Sequence, residues 1–121
     1  MHRLSSLPGS DPQENLCLVE QDTAPVLFLT SASSDISTLS TLLERKPSSN
    51  WRGRIRALPL SAINHPAQID HYLWSTASKS EIVIVRLLGG RGHWSYGLEQ
   101  LELWKQKSSN RKLIILAGTR D

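Results

Sequence analysis

One short stretch, from Val85 to Gly97, brings together residue types that bind ligands. Two adjacent glycines follow an apolar run, and glycine allows a positive φ and a close approach of the backbone to a ligand. Arginine offers a planar donor fork for carboxylate or phosphate, histidine titrates near neutrality, and aromatic rings stack or anchor a partner. We therefore expect a binding site in this stretch. The residues expected to contact a ligand or a partner chain are Arg86, Gly89, Gly90, Arg91, His93, Trp94 and Tyr96.

The same residues also allow a purely structural interpretation, in which the glycines form a tight turn and Trp94 lies beneath a following helix. The spacing is neither that of a phosphate-binding P-loop nor that of a dinucleotide fingerprint. His65 and His71 are six residues apart, a spacing that does not place them on one helix face as an i, i+4 pair would, so we expect no metal site. No serine is clearly paired with a histidine and a carboxylate, and we expect no catalytic residues.

Four apolar segments are predicted to be strands. Val26 to Leu29 is typical of a strand buried on both faces, Ile82 to Leu88 is the strongest strand signal, and Leu113 to Leu116 predicts a last buried strand. Arg52 to Leu58 alternates arginine with glycine or apolar residues, which predicts an edge strand whose arginines face solvent.

Three amphipathic helices alternate with these strands. The first is predicted to begin at an N-cap, Ser34 or Asp35, and to end before Pro47. The second opens at Asn64-His65-Pro66, and the third runs from about Ser95 to Lys107.

This alternation predicts right-handed crossovers and a parallel sheet. Counting the four strands in chain order, we expect the sheet order 2-1-3-4, a flavodoxin-like (Rossmann-like) three-layer half-sheet of the α/β class. Residues 1–23 are expected to form an N-terminal arm with a short strand near Cys17 to Val19, and residues 24–121 the α/β domain. The winding reverses between the first and third strands, so the crevice should lie between loops 30–35 and 89–94.

The charge, the cysteine content and the length of the apolar runs limit the partners and the cellular compartment that we expect. The formal net charge is +3, without a stripe of lysine and arginine, so we expect an ordinary surface and no nucleic-acid partner. The single cysteine excludes an internal disulfide and suits a reducing compartment. The longest apolar run is too short to cross a bilayer, so we expect a cytoplasmic protein without a membrane partner.

Several segments resemble, in order, the beginning of the CobN-type large subunit of cobaltochelatase. The strongest is Val85 to Gly90 followed by Trp94, Tyr96-Gly97 and Glu99 to Leu101, which matches the family's Val-Arg-Leu-Leu-Gly-Gly and Trp-x-Tyr-Gly-Val-Glu-Gln/Glu-Leu. Weaker matches are Met1-His2, Pro8-Gly9, Ala24 to Ala32, His65-Pro66 and Asp70 to Tyr72.

The resemblance implies a part in ATP-dependent insertion of cobalt into hydrogenobyrinic acid a,c-diamide, a corrin-ring precursor, in cobalamin biosynthesis. Its implied partners are the remaining part of the large subunit and two smaller subunits, one of them an AAA+ ATPase. The complex would use ATP, magnesium and cobalt, none of them bound by this fragment. The family's large subunits are several times longer, so we expect a fragment that is inactive alone. The sequence leaves open whether the metal is cobalt or magnesium.

Three functions follow as hypotheses. In the first, this region contacts the tetrapyrrole, with Arg91 pairing with a ring carboxylate and Trp94 stacking on the ring. In the second, a stand-alone interaction module docks a partner chain and binds no ligand. In the third, Arg52, Arg54, Arg56 and Arg91 bind nucleic acid weakly.

Overall fold

A computed structural model describes residues 2–6, 16–45, 51, 53–89 and 91–118. Within these residues the chain forms an α/β fold with a two-stranded and a four-stranded sheet. The strands are β1 (His2–Ser6), β2 (Cys17–Gln21), β3 (Val26–Thr30), β4 (Ile55–Pro59), β5 (Ile82–Leu88) and β6 (Lys112–Gly118), and the helices are α1 (Ser33–Arg45), α2 (Pro66–Ser75) and α3 (Ser95–Gln106).

The larger sheet is parallel throughout and runs in the order β4-β3-β5-β6. The strands of the sequence prediction are β3, β4, β5 and β6, and the α/β class with a parallel sheet is confirmed. The most apolar strands, β3 and β5, lie at the centre, where both faces can be covered.

The predicted strand near Cys17 extends to Gln21 and pairs with β1 as an antiparallel hairpin. Val19 on this hairpin belongs to the hydrophobic core. The Gln21 amide donates to the Ala57 carbonyl of β4 at 2.9 Å and accepts from the Tyr72 hydroxyl at 2.7 Å. The hairpin is thereby tied both to the edge strand β4 and to α2.

The core lies between the sheet and the layer formed by α2 and α3. Alternate side chains of each central strand, such as Leu27 and Val85, are fully buried on this face. α2 begins as predicted, with His65 as N-cap: its Nδ1 accepts from Ala67 N at 3.1 Å, and Gln68 completes a capping box. Ile69 and Tyr72 of α2 are buried in this core.

The opposite face of the sheet carries α1, and it is only partly covered. No residue of α1 is fully buried. The expectation that β3 is buried on both faces is wrong, because Val26 and Phe28 are only half-buried. The expectation of a buried last strand is also wrong: Ile114 and Leu116 of β6 are 43% and 49% exposed. The reason is the position of α1, whose main contacts with the sheet are on β3 and β4.

Two further details differ from the sequence prediction. α1 begins at Ser33, so neither Ser34 nor Asp35 is its N-cap. The Asp35 carboxylate lies in the first helical turn and binds side chains of the sheet instead. Arg56 was expected to face solvent and is half-buried, because the hairpin packs against this edge of the sheet. Arg52 lies outside the described residues.

Candidate functional site

The loops that follow β3 and β5 meet at the carboxyl edge of the sheet, where the winding reverses. Ser31 joins them: its amide donates to the Arg86 carbonyl at 3.0 Å, and its hydroxyl accepts from the Leu88 amide at 2.9 Å. Ser31 therefore joins the two loops of the predicted crevice, and it is the residue of loop 30–35 that lines the cavity beside them.

Gly89 sets the geometry of the loop after β5. Its φ is +88°, a conformation that side-chain-bearing residues rarely adopt. The His93 imidazole lies against it, and a Cβ on Gly89 would sit 3.1 Å from His93 Nε2. The positive φ of Gly89 and the close approach of a neighbouring group therefore both require glycine at this position. The group that approaches is the imidazole of His93 in the same chain. Gly92 has open space around its Cα.

A cavity of about 220 Å³ opens beside His93. Small-molecule sites usually measure roughly 300–1,000 Å³, so this one admits a ligand substituent rather than a whole macrocycle. Its wall combines apolar floor residues with hydroxyl, amide and imidazole groups. The lining residues are Ser31, Leu60, Ser61, Asn64, Leu87, Leu88, His93 and Trp94.

Trp94 is largely a core residue. The residue is 5% exposed, and its Nε1–H donates to the Ile63 carbonyl at 2.9 Å. Gly97 lies directly beneath the ring, where a Cβ would be 2.3 Å from Trp94 Cε2. Only a rim of the indole reaches the cavity wall.

Tyr96 connects the start of α3 to α2. Its hydroxyl donates to Asp70 Oδ1 at 2.8 Å. This hydrogen bond to the carboxylate raises the pKa of the Tyr96 phenol, because ionisation would place two negative charges together.

Arg86 lies on the other face of the sheet, away from His93. Its guanidinium forms an ion pair with Asp35 of α1. The Thr30 hydroxyl donates to the same Asp35 oxygen at 2.8 Å. The hydrogen bonds from Thr30 and from Arg86 together lower the pKa of the Asp35 carboxyl. A ligand in the crevice therefore does not meet Arg86 without breaking this cluster.

The structure thus gathers only part of the predicted set. His93 and Trp94 line the crevice and Gly89 lies against His93, whereas Arg86 and Tyr96 bind other elements. Gly90 and the side chain of Arg91 lie outside the described residues. Sequence reasoning missed Ser61 and Asn64, which are brought in by the 3₁₀ turn Leu60–Ile63 after β4. That turn has no motif, and the polar residues before the His65-Pro66 helix start were the only available signal.

The chemistry of the crevice is that of binding, with one imidazole, hydroxyls and an amide at its wall. In the described part of the chain, no three histidine, cysteine, aspartate or glutamate side chains are placed to hold a metal ion. None of the helices there is long and apolar enough to cross a membrane.

Comparison with known proteins identifies the relatives. No family model and no solved structure matches the chain. Over 102 residues, 84% of the chain, it is 29% identical to the aerobic cobaltochelatase subunit CobN of Sinorhizobium sp and 30% identical to the subunit of the same name from Pseudomonas aeruginosa. The chain spans about 8% of the length of these curated relatives. The greater part of this chain is therefore a CobN-type region.

Proposed function

We propose that this chain is the N-terminal domain, or a fragment, of a cobaltochelatase large subunit, with a flavodoxin-like fold and no catalytic activity of its own. In the complete cytoplasmic enzyme it would act with the rest of that subunit and two smaller subunits, one an AAA+ ATPase, in the ATP-dependent insertion of cobalt into a corrin precursor. The observation that carries this proposal is the match to two CobN proteins over 84% of the chain.

The internal contacts of the glycine-rich motif support a non-catalytic role. Arg86, Trp94 and Tyr96 bind Asp35, the Ile63 carbonyl and Asp70, so much of the motif positions α1, α2 and α3 around the crevice. These groups are used for packing and are not free to move protons at a reacting atom.

We assign the direct contact of this domain with the corrin precursor to the rim of the crevice. The cavity volume of about 220 Å³ admits one peripheral carboxylate or amide of the ring. His93 lines that cavity and Arg91 begins the same 3₁₀ turn, Arg91–Trp94. Trp94 would have to leave the core to stack its face on a ring, so we assign the polar contact to Arg91 and His93.

The contact is tested by titrating the protein with hydrogenobyrinic acid a,c-diamide and following tryptophan fluorescence, corrected for ligand absorbance. We expect saturable quenching that Arg91→Ala and His93→Ala each weaken roughly tenfold, the loss of one charge-assisted hydrogen bond. Arg54→Ala, at the amino end of β4, and Trp74→Phe, on α2, are the matched controls and should leave the affinity unchanged.

Quenching that disappears with Trp74→Phe would contradict the crevice and indicate adsorption to the outer surface. No saturable quenching would favour the alternative function, an interaction module without a ligand. The nucleic-acid hypothesis has less support, because Arg56 is half-buried and Arg54 lies at the sheet edge opposite to the crevice.

The subunit assignment itself is tested by a domain exchange. The matching region of the Pseudomonas aeruginosa subunit is replaced by this chain, and cobalt insertion is measured with that organism's other subunits. We expect insertion by the exchanged subunit and none by a subunit lacking the region or by this chain alone. An exchanged subunit that folds and assembles normally, yet inserts no cobalt, would contradict the assignment.

A further inference from the structure

The face of the sheet that carries α1 has an apolar groove beside that helix. Its floor is the sheet, where Ile82, Ile84 and Ile114 are among the lining residues, and one wall is the flank of α1, including Leu42; Trp51 also lines the groove. Its volume is about 480 Å³, more than twice that of the crevice. Leu42 and Ile114 are 52% and 43% exposed, so the apolar lining of the groove is open to solvent.

The two faces of the sheet are unequally covered. Two helices, α2 and α3, pack on one face and bury alternate side chains of β3 and β5 completely. On the other face α1 packs mainly on β3 and β4 and reaches the carboxyl end of β5 through the Asp35–Arg86 ion pair, whereas Ile84 of β5 and Ile114 of β6 line the open groove. The groove therefore marks a strip of the sheet beside α1 that no helix of the described residues covers.

The chemistry of the groove indicates an apolar occupant. All nine lining residues are hydrophobic, and among the described residues charged side chains stand at the two ends of the exposed strands, at Glu81 and Lys112 and at the Arg86–Asp35 pair. Arg86 and Asp35 already neutralise each other. A highly charged partner would find no counter-charge inside the groove, whereas the apolar face of an amphipathic helix would fill it.

We propose that this groove docks an amphipathic helix from the remaining polypeptide of the cobaltochelatase large subunit. The inference rests on the proposed function. The curated relatives extend far beyond the matched 102 residues, because the chain spans about 8% of their length. That additional polypeptide is the source of the proposed helix. The helix lies over β5 and β6, next to α1, and completes the third layer of the domain.

The test uses this chain and, as the probe, the Pseudomonas aeruginosa CobN subunit from which the matching region has been deleted. Affinity is measured by calorimetry for the wild type, Leu42→Glu and Ile114→Glu. The matched control is Leu103→Glu on the outer face of α3, where the exposed fraction is 49% against 52% for Leu42. Thermal unfolding of each variant checks that the substitutions leave the fold intact.

We expect each groove variant to weaken binding roughly tenfold or more, the effect of placing a charge in an apolar contact. The control should bind like the wild type. In the complex, hydrogen exchange should slow at α1 and β6 and remain unchanged on the outer face of α2. Binding that is equal for all four proteins, or protection confined to α2 and α3, would overturn the docking site and leave the proposed function standing.

Other outcomes separate the two proposals. If the folded wild type does not bind the probe at all, both the proposed function and the docking site are contradicted. If the wild type is a dimer by sedimentation and Leu42→Glu makes it a monomer, the occupant is a second copy of this chain, and the inference of a large-subunit helix is overturned.

Discussion

Individual residues of the motif act mainly through close contacts within the protein. Trp94 and Gly97 show this most clearly, because the indole ring occupies the space that a side chain at Gly97 would need. A glycine inside a helix ordinarily costs about 0.5–1 kcal/mol relative to alanine. Glycine is needed at position 97 because the absence of a side chain lets the Trp94 ring pack there and donate to the Ile63 carbonyl.

We therefore expect Gly97→Ala to destabilise the protein by about 1–3 kcal/mol, since the overpacking outweighs the gain in helix propensity. Urea denaturation measures the difference. The matched control is Gly92→Ala, where no atom lies within 4 Å of the added Cβ and the change in stability should stay within about 0.5 kcal/mol. Equal stability of the two variants would contradict the tight contact.

A second pair of glycines distinguishes the stability cost of a positive φ from the cost of a contact between side chains. Gly53 and Gly89 have φ of +82° and +88°, but only Gly89 has a neighbour, His93, in the space of a Cβ. We expect Gly53→Ala to cost about 1–2 kcal/mol from φ alone and Gly89→Ala to cost more. Adding His93→Ala to Gly89→Ala should remove the excess, measured by chemical denaturation. If the excess persists without the imidazole, it does not arise from His93.

At the scale of elements, polar side chains fasten helices and the hairpin to the sheet. Asp35 on α1 accepts hydrogen bonds from Thr30 of β3 and Arg86 of β5. Gln21 on β2 binds both β4 and α2. Neither cluster belongs to the crevice, although Arg86 lies in the sequence motif that predicted it.

The Asp35 cluster should make stability depend on pH. The pKa of Asp35 in the folded state is below its ordinary value of 3.8, so its contribution is present above that value and is lost as pH falls through the lower folded value. We expect Asp35→Asn to be about 1–2 kcal/mol less stable than the wild type at neutral pH, and the gap to close at strongly acidic pH. Denaturation at several pH values measures it. A gap that stays constant would show that the Asp35 charge is not responsible.

The Gln21 cluster is tested by a double-mutant cycle. Tyr72 is fully buried, so Gln21→Ala leaves its hydroxyl without the acceptor and should cost about 1–3 kcal/mol. Tyr72→Phe in the same background removes the unpaired group and should add little further cost. Gln68→Ala, which removes exposed hydrogen bonds to Cys17 and His65, is the milder control. Strictly additive effects of Gln21→Ala and Tyr72→Phe would contradict the coupling.

At the scale of the whole molecule, one face of the sheet carries the stability and the other remains open. The central strands β3 and β5 are paired on both sides and buried beneath α2 and α3, whereas α1 contains no fully buried residue and β6 is paired, within the described chain, on one side. Local opening is easiest where few apolar contacts are buried.

We therefore expect native-state hydrogen exchange of the isolated chain to be slowest in β3 and β5 and clearly faster in α1 and β6. Mass spectrometry of peptides from each element measures the order. Protection of α1 equal to that of β5 would contradict an open face, and the same data set the baseline for the docking experiment.

The sequence by itself determined the four strands of the larger sheet, the three helices and the α/β class. Apolar runs, proline and capping positions predicted the parallel sheet, the helices and the crevice between two named loops, because these signals depend on short-range periodicity and on crossover handedness. It also carried the resemblance to the CobN family, since the motif from Val85 to Glu99 retains both residue type and order.

Only the tertiary structure decided which side chains of the motif meet. Neighbouring residues of a strand point to opposite faces, so Arg86 reaches Asp35 while Leu87 lines the crevice. Ser61 and Asn64 enter the crevice from an element distant in sequence, and no local pattern encodes that contact. Whether β6 is buried likewise depends on which elements cover it, which is a property of the packed layers and not of the apolar strand sequence.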